Sequence, residues 1–171
     1  MSAICLVGMM GAGKTTVGKK LAKRLDLQFV DLDHEIERQT GVSVATIFEI
    51  EGESGFRQRE TNALKQVIEA GNLIIATGGG AVLSAVNRAI LSGTGPVVYL
   101  QATPELIYLR TRHDTSRPLL QVADPLGRIR SLVSHRDPLY REVADIVIES
   151  GRPLSNTIDA IETALKLHSS R

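Results

Sequence analysis

The residues Gly8-Met9-Met10-Gly11-Ala12-Gly13-Lys14-Thr15 form the stretch from which the rest of the chain can be understood. They match the pattern Gly-x4-Gly-Lys-Ser/Thr, which in many proteins wraps a phosphate group. The apolar run Ala3–Val7 comes directly before them and predicts a buried strand, while Val17–Leu25 has apolar residues at helical spacing and predicts a helix. A strand, a glycine-rich loop and a helix N-terminus in this order point several backbone N–H groups at one anion. The pattern therefore favours a nucleotide-binding loop over an ordinary glycine-rich turn.

Two side chains of this loop have the chemistry that phosphoryl transfer needs. The ammonium of Lys14 would reach the β- and γ-phosphates of a nucleoside triphosphate, and the hydroxyl of Thr15 would coordinate Mg²⁺. Glycine is needed in the loop because a tightly curled backbone must approach the phosphate closely. The predicted nucleotide-binding residues of the loop are Gly11, Ala12, Gly13, Lys14, Thr15 and Thr16.

The composition limits the possible partners. The chain has 171 residues, the size of one domain, with 43% hydrophobic and 23% charged residues. A net charge of +1, no tryptophan and 4% aromatic residues give no basis for binding nucleic acid or a membrane surface. Cys5 is the only cysteine, neither a signal peptide nor a membrane span is recognisable, and the four histidines lack metal-ligand spacing. We therefore expect one cytoplasmic domain over residues 1–171, acting as a monomer.

Two carboxylates end the second predicted strand, which covers Gln28–Asp33. The carboxyl ends of parallel strands line the ligand crevice of such sheets, and side-chain alternation turns Asp31 and Asp33 to the same side. Beside a phosphate loop, this pair suggests one carboxylate near Mg²⁺ and one near the group that is phosphorylated. The alternative is that Asp33 only caps a helix over Asp33–Thr40.

Two later segments carry further candidate residues. A charged run starts the predicted helix Phe56–Ala70, in which Arg57 and Arg59 cannot share one face. We expect different tasks for these arginines, although a solvated charged face is the simpler interpretation. Thr77-Gly78-Gly79-Gly80 follows a third predicted strand, Leu73–Ala76. Three successive glycines are conformationally costly, which favours a loop that a ligand approaches closely.

Strands and helices alternate along the rest of the chain. The further predicted elements are a helix over Ser84–Ser92, a strand over Pro96–Leu100, a helix from Thr103 to Arg112, a helix from Asp124-Pro125 to near residues 135–138, a strand over Ala144–Ile148 and a last helix capped by Ser155. The segment His113–Asp124 has no helical period, and its length and composition are typical of a mobile lid. The alternation predicts an α/β fold, with five parallel strands in one sheet and helices on both faces. The pattern leaves the order of the strands open.

The motifs taken together resemble those of one family, the shikimate kinases, over essentially the whole chain. The motifs that carry the resemblance are Gly8–Thr15, Asp31-Leu32-Asp33, Gly55–Glu60, Thr77–Gly80, Arg117–Leu120 and Arg136–Tyr140. The resemblance implies a P-loop fold like that of the nucleoside monophosphate kinases, with strand order 2-3-1-4-5. It also implies ATP-dependent phosphorylation of the 3-hydroxyl of shikimate, a step toward chorismate and the aromatic amino acids.

The resemblance further implies roles for particular residues. A substrate-binding region would cover about residues 33–60, and the positions that match shikimate-binding residues are Asp33, Arg57, Gly78, Gly79, Gly80 and Arg136. The positions that match the adenine pocket are Arg110, Arg152 and Pro153. Thr15 and Asp31 match the Mg²⁺ site, and Arg117 matches a lid arginine that faces the phosphates. The expected catalytic residues are Lys14, Asp33 and Arg117.

The chemistry of these side chains agrees with a small acidic polyol as the acceptor. Guanidinium groups such as Arg57 and Arg136 suit the carboxylate of shikimate, and Asp33 can accept hydrogen bonds from its hydroxyls. Gluconate is also a polyhydroxy acid, so a gluconate kinase remains an alternative. A nucleotide-binding module without chemistry is the alternative from another class, and it would have little use for Asp33 or the lid residue Arg117.

Overall fold

A five-stranded parallel sheet forms the centre of the computed structural model, which describes residues 3–170. Its strands lie in the order β2-β3-β1-β4-β5, as the family resemblance implies. The strands are β1 (Ile4–Val7), β2 (Gln28–Asp31), β3 (Leu73–Ala76), β4 (Val97–Gln101) and β5 (Ile146–Glu149). The N- and C-terminal residues 1, 2 and 171 of the predicted domain lie outside the described residues.

The burial of the strands follows their sequences. The three central strands β1, β3 and β4 are runs of apolar residues, and nearly all of their side chains are buried. The outer strands are more exposed, because each has only one neighbouring strand: β2 has exposed and half-buried positions, and β5 has one buried position among exposed and half-buried ones. Cys5 is fully buried in β1, and burial raises the pKa of its thiol to about 12. It therefore fills the core, as its position in an apolar run predicts.

Among residues 3–170, seven helices pack around the sheet. They are α1 (Lys14–Leu25), α2 (Leu32–Thr40), α3 (Val44–Ala70), α4 (Ala85–Ser92), α5 (Pro104–Thr111), α6 (Pro125–Val143) and α7 (Leu154–Ser169). Helices α1 and α7 contact each other and the strands, while α4, α5 and α6 form a second group that contacts β4 through α6. None of these helices combines the length and the apolar composition that a membrane crossing requires.

The structure corrects two predicted helix starts. The first helix after β2 is capped by Asp31, whose Oδ1 accepts hydrogen bonds from the backbone N–H groups of Asp33 (3.1 Å) and His34 (3.2 Å). The alternative that Asp33 only caps this helix is therefore excluded, and its side chain is left for another role. The last helix begins at Leu154, directly after Pro153, and no side chain caps it, so Ser155 lies inside its first turn and not at the cap.

Two predicted helix boundaries were also wrong. Helix α3 runs from Val44 to Ala70 across Gly52, whose φ of 70° breaks the helical geometry at one residue only. Helix α6 continues through Pro138 to Val143 instead of ending near residues 135–138. A proline inside a helix removes one hydrogen bond, but the buried residues Arg136 and Tyr140 hold the helix on the body on both sides of it.

Because all strands are parallel, their carboxyl ends lie at one edge of the sheet. The segments that follow β1, β2, β3 and β5 therefore meet at this edge. They carry the glycine loop, the two aspartates, the glycine run and the turn near residue 150. The edge is where ligands bind in open α/β sheets.

Candidate active site

The glycine loop lies tightly against the end of β4 and the end of α5. Gly8 has a φ of 148°, and a Cβ atom there would lie 2.6 Å from the backbone oxygen of Leu100. Gly11 has a φ of 76°, and its Cβ would lie 2.8 Å from a methyl group of Thr111. A side chain at either position would be strained and would push the loop off the body. Gly13 is the cap residue of α1 and has no side chain that could accept a hydrogen bond. The first N–H groups of this helix are therefore left uncapped by a side chain and are available to a ligand.

Lys14 is buried and bound to its own loop. Its Nζ donates hydrogen bonds to the backbone oxygens of Gly8 (2.6 Å) and Met9 (2.9 Å). Burial lowers the pKa of Lys14 to about 8, with the carboxylates of Asp33 and Asp31 acting in the opposite direction. An ammonium group has three N–H donors, and two are used here. One donor is therefore left for a phosphate oxygen.

Thr15 and Asp31, the residues predicted at a Mg²⁺ site, are in direct contact. The hydroxyl of Thr15 donates to Asp31 Oδ2 at 2.8 Å, while Oδ1 of the same carboxylate caps α2. Hydroxyl and carboxylate oxygens are ligands that Mg²⁺ accepts. Within residues 3–170 no three His, Cys, Asp or Glu side chains are grouped to hold a metal. A Mg²⁺ ion here would thus take its other ligands from phosphates and water, which is usual for this ion.

The glycine run after β3 lies among the predicted acceptor-binding side chains. A Cβ atom at Gly78 would lie 3.0 Å from Oδ1 of Asp33, and one at Gly79 would lie 3.6 Å from Nη1 of Arg136. A Cβ atom at Gly80 would collide with the guanidinium of Arg57. Glycine at positions 78 and 80 therefore leaves room for the side chains of Asp33 and Arg57, while Arg136 lies at an ordinary contact distance from Gly79.

Several buried polar atoms at this place have no hydrogen-bond partner among residues 3–170. They are Oδ1 of Asp33, Nε of Arg57, Oε2 of Glu60 and Nε of Arg136. Leaving a buried charged group without a hydrogen bond costs free energy, so such atoms are rare outside binding sites. The nearest acidic neighbour of Arg57 Nε is Glu53 at 3.6 Å, which is too far for a hydrogen bond. The atoms indicate a site for a polar ligand with both acidic and hydroxyl groups.

Glu60 is a site residue that the sequence did not identify. Its side chain is fully buried and accepts hydrogen bonds from Arg57 Nη1 (2.9 Å) and from Asn87 Nδ2 (3.3 Å). Burial raises the pKa of Glu60 to about 7, although the charge of Arg57 opposes this. Burial and the charge of Asp31 likewise raise the pKa of Asp33 above its usual value. The available signal was the spacing of Arg57 and Glu60, three residues apart on one helix face.

Arg136 is held in place by the tyrosine one turn further along α6. Tyr140 is fully buried, stacks on Tyr99 with ring centroids 5.0 Å apart, and donates its hydroxyl hydrogen to the backbone oxygen of Gly79. Burial raises the pKa of Tyr140 to about 12, so its hydroxyl stays protonated to a higher pH than that of an exposed tyrosine. The tyrosine therefore joins α6, which carries Arg136, to the glycine run.

The predicted lid contains a short 3₁₀ turn, Pro118–Leu120. Arg117 precedes it in an extended conformation, as a residue before proline should, and its Nε donates to Asp114 Oδ2 at 2.9 Å. Leu120 is already buried in the core in this structure, whereas Leu119 is 40% exposed. Leu120 therefore anchors this end of the segment to the body.

The residues predicted for the adenine pocket lie on the other side of the glycine loop. Arg110 Nη1 donates to the backbone oxygen of Gly11 and to the hydroxyl of Ser150, both at 3.0 Å. Arg152 and Pro153 are exposed on the turn that follows Ser150, and Arg152 lies 3.6 Å from Glu149. Arg110 therefore contacts the loop directly, and Arg152 contacts it only through the turn.

Comparison with known proteins gives this arrangement a family. A family model described as shikimate kinase matches residues 10–166. The shikimate kinase of Aromatoleum aromaticum is 58% identical over 149 residues, which are 87% of this chain and 85% of that protein. The chain belongs to the shikimate kinase family. The shikimate kinase of Neisseria gonorrhoeae is 53% identical over 163 residues, or 95% of this chain and 94% of that protein.

Solved structures agree with this family and with the fold. The shikimate kinase from Acinetobacter baumannii, solved in complex with shikimate, has a TM-score of 0.91 and 49% identity, covering 99% of this chain and 94% of that one. A gluconokinase from Sinorhizobium meliloti has a TM-score of 0.64 at 15% identity, which shows a common fold and nothing more. The predicted family, fold class and phosphotransferase class are confirmed. Neither the gluconate kinase nor the non-catalytic module is favoured.

Proposed function

We propose that this shikimate kinase family member transfers the γ-phosphoryl group of ATP to the 3-hydroxyl of shikimate, with Mg²⁺ bound beside the phosphates. The observation that carries the proposal is the set of unpaired buried atoms on Asp33, Arg57, Glu60 and Arg136. They lie next to a phosphate loop, and their charges fit a ligand with one carboxylate and several hydroxyls. The complex of the Acinetobacter baumannii relative with shikimate supports the same acceptor.

At the nucleotide side, the loop residues Gly11–Thr16 would bind the phosphates through backbone N–H groups. Lys14 would give its third N–H to the transferring phosphoryl group, where negative charge must be neutralised. Thr15 and Asp31 would hold Mg²⁺, which when bound adds positive charge at the phosphates. Arg110 and the turn Arg152-Pro153 would contact the adenosine part.

At the acceptor side, Arg57 and Arg136 would bind the shikimate carboxylate through their free N–H donors. The Gly78–Gly80 backbone would lie against the ring. Asp33 Oδ1 would accept a hydrogen bond from the attacking hydroxyl, and its raised pKa makes it a better proton acceptor than an exposed carboxylate. A loose transition state makes little demand on such a base, so orientation would be the larger contribution.

The lid would complete the site. Arg117 already affects Lys14, because its positive charge helps to lower the pKa of that ammonium. We propose that residues 113–124 close over ATP and shikimate and that Arg117 then leaves Asp114 for the phosphates. The substrate-binding region of residues 33–60, the single domain, the monomeric state and the cytoplasmic location remain predictions.

The test is ADP release from ATP and Mg²⁺ with shikimate or gluconate as the acceptor. We expect release with shikimate and at most a trace with gluconate, because Glu60 holds Arg57 and Tyr140 ties the helix of Arg136 to the glycine run, which favours a rigid ring acid over a flexible chain. Equal release with both acceptors would contradict the proposed specificity. No release with either acceptor, while ADP still binds, would favour a nucleotide-binding module.

The two aspartates can be separated in the same assay. Asp31→Asn weakens the charge at the Mg²⁺ site, so we expect a higher Mg²⁺ requirement with little change in the KM for shikimate. Asp33→Asn removes the acceptor-side carboxylate, so we expect the reverse. Titrations of Mg²⁺ and of shikimate on both variants decide the matter, and identical behaviour would show that the roles are not divided in this way.

A further inference from the structure

Ser150 lies directly after β5 and contacts the phosphate loop, although it belongs to no predicted site. Its hydroxyl donates to the backbone oxygen of Ala12 at 2.8 Å and accepts a hydrogen bond from Arg110 Nη1 at 3.0 Å. Its backbone N–H donates to the oxygen of Gln101 at the end of β4 at 2.7 Å. Ser150 is thus fixed to the sheet on one side and to the loop on the other.

The contact fixes the orientation of one peptide group. In a trans peptide the C=O and the following N–H point in opposite directions, so holding the oxygen of Ala12 also sets the direction of the Gly13 N–H. The preceding N–H, that of Ala12, already donates to the oxygen of Met9 at 3.1 Å. The N–H of Gly13 has no such partner within residues 3–170, and it opens α1.

Glycine makes this orientation easy to lose. Gly13 has a φ of 99°, and the nearest atom to a Cβ there would be Nη1 of Arg110 at 3.7 Å, so little packing restrains it. A flexible peptide would point its N–H at the phosphate for only part of the time. A hydrogen bond on the far side of the same peptide removes that freedom before the nucleotide arrives, and such preorganisation increases affinity.

We propose that Ser150 is a positioning residue that holds the Ala12–Gly13 peptide so that the Gly13 N–H faces the nucleotide phosphates. The proposal rests on the nucleotide site proposed above. The effect of Ser150 should therefore appear with ligands that carry phosphates and be absent with those that do not.

The test compares Ser150→Ala with Ser150→Thr, which keeps a hydroxyl, and with Ser155→Ala as a matched control. Ser155 is an exposed serine five residues further along, and within residues 3–170 its hydroxyl has a hydrogen bond only to its neighbour Asn156. Calorimetry gives the affinities for ADP and shikimate, and inhibition of turnover gives the Ki of adenosine. One hydrogen bond corresponds to about a three- to tenfold change in binding.

We expect the ADP affinity of Ser150→Ala to fall about three- to tenfold. The Ki of adenosine, the affinity for shikimate and the melting temperature should be nearly unchanged. Ser150→Thr should recover most of the loss, and Ser155→Ala should match the wild type. Unchanged ADP affinity in Ser150→Ala, or an equal loss for adenosine, would overturn the proposal.

Two further results keep the outcome unambiguous. If Ser150→Ala does not fold, Ser150→Cys supplies a weaker donor at the same place. The ADP affinity of Ser150→Cys should lie between the affinities expected for Ser150→Ala and Ser150→Thr. An affinity equal to that of the wild type would count against the proposal. If the wild type itself does not bind ADP, the proposed nucleotide site has failed rather than the role of Ser150.

Discussion

The nucleotide side and the acceptor side of the site differ in how their polar groups are satisfied. At the nucleotide side, the glycine loop and its neighbours bond to one another: Lys14 binds two loop oxygens, and Thr15 binds Asp31. At the acceptor side, Asp33 and Arg136 each have a buried polar atom without a partner. Within residues 3–170, the first side leaves N–H donors such as those of Lys14 and Gly13 for a ligand, whereas the second side leaves buried atoms of charged side chains unpaired.

The difference follows from what each side must recognise. Phosphates are bound mainly by backbone N–H groups, and a loop can arrange these by bonding its own oxygens elsewhere. A small acidic polyol has to be recognised by charged side chains, which must be kept apart and unpaired until it arrives. The acceptor side therefore lowers the stability of the free protein, and binding recovers that free energy.

The largest expected effect is at the nucleotide side. Lys14→Ala should lower kcat/KM about 10³-fold or more, because a positive charge is lost where the transition state gathers negative charge. Melting should remain cooperative. The control is Lys19→Ala, which removes an exposed ammonium from the same helix and should leave the kinetics unchanged. Near-normal turnover in a folded Lys14→Ala variant would refute the phosphate-loop assignment.

The lid should give the next largest effect. Arg117→Ala should lower kcat by about 10²- to 10³-fold while shikimate affinity changes little, since its contact would form mainly in the transition state. Arg117→Lys should recover only part of kcat, because an ammonium lacks the forked donors of a guanidinium.

Steady-state kinetics on both variants measure this, with Arg112→Ala, an exposed arginine just before the lid, as the control. Hydrogen exchange of residues 113–124 should slow when ATP and shikimate are both bound. A lid that is fully protected in the free enzyme, or an unchanged kcat in Arg117→Ala, would disprove the closing motion and the role of Arg117.

At the acceptor side, the effect should appear in binding. Arg57→Ala or Arg136→Ala should weaken the binding of shikimate by about 10- to 150-fold, which corresponds to one hydrogen bond to a charged group. The affinity for ATP should be nearly unchanged. Calorimetry with each ligand alone measures this. Arg130→Ala, an exposed arginine on the same helix as Arg136, is the control. Equal losses of ATP affinity and shikimate affinity would show that these arginines do not belong to the acceptor side alone.

The smallest effect concerns stability and pH. Because burial raises the pKa of Glu60 from 4.5 to about 7, the folded protein holds this proton more tightly than the unfolded chain. The stabilisation that this provides is complete below about pH 4.5 and is lost as pH rises to about 7. Glu60→Gln has no such proton. The melting temperature of the variant minus that of the wild type should therefore increase by a few degrees between pH 4.5 and about pH 7.

Thermal melts between pH 4.5 and pH 8 test this, the lower limit being the ordinary pKa of the group. Glu69→Gln changes an exposed carboxylate on the same helix and should leave the pH dependence of the wild type intact. A difference between wild type and Glu60→Gln that stays constant over the whole range would show that Glu60 does not titrate as proposed.

The sequence predicted most of the framework because the relevant signals are local. The spacing of Gly8–Thr15, the apolar runs of β1, β3 and β4, and the proline after Thr103 each involve residues a few positions apart. Strand and helix propensity act over the same short range. The boundaries that failed, at Pro138 and Ser155, are places where packing outweighs a local preference.

By itself, then, the sequence determined the alternation of strands and helices, the phosphate loop and the charged residues available for an acidic acceptor. Only the tertiary structure decided which groups meet. It buried Glu60 beside Arg57, gave the helix cap to Asp31 so that Asp33 stays free, and placed Ser150 on Ala12, which is 138 positions away. Such pairings depend on how helices and loops pack at the edge of the sheet, and no pattern within one segment contains that information.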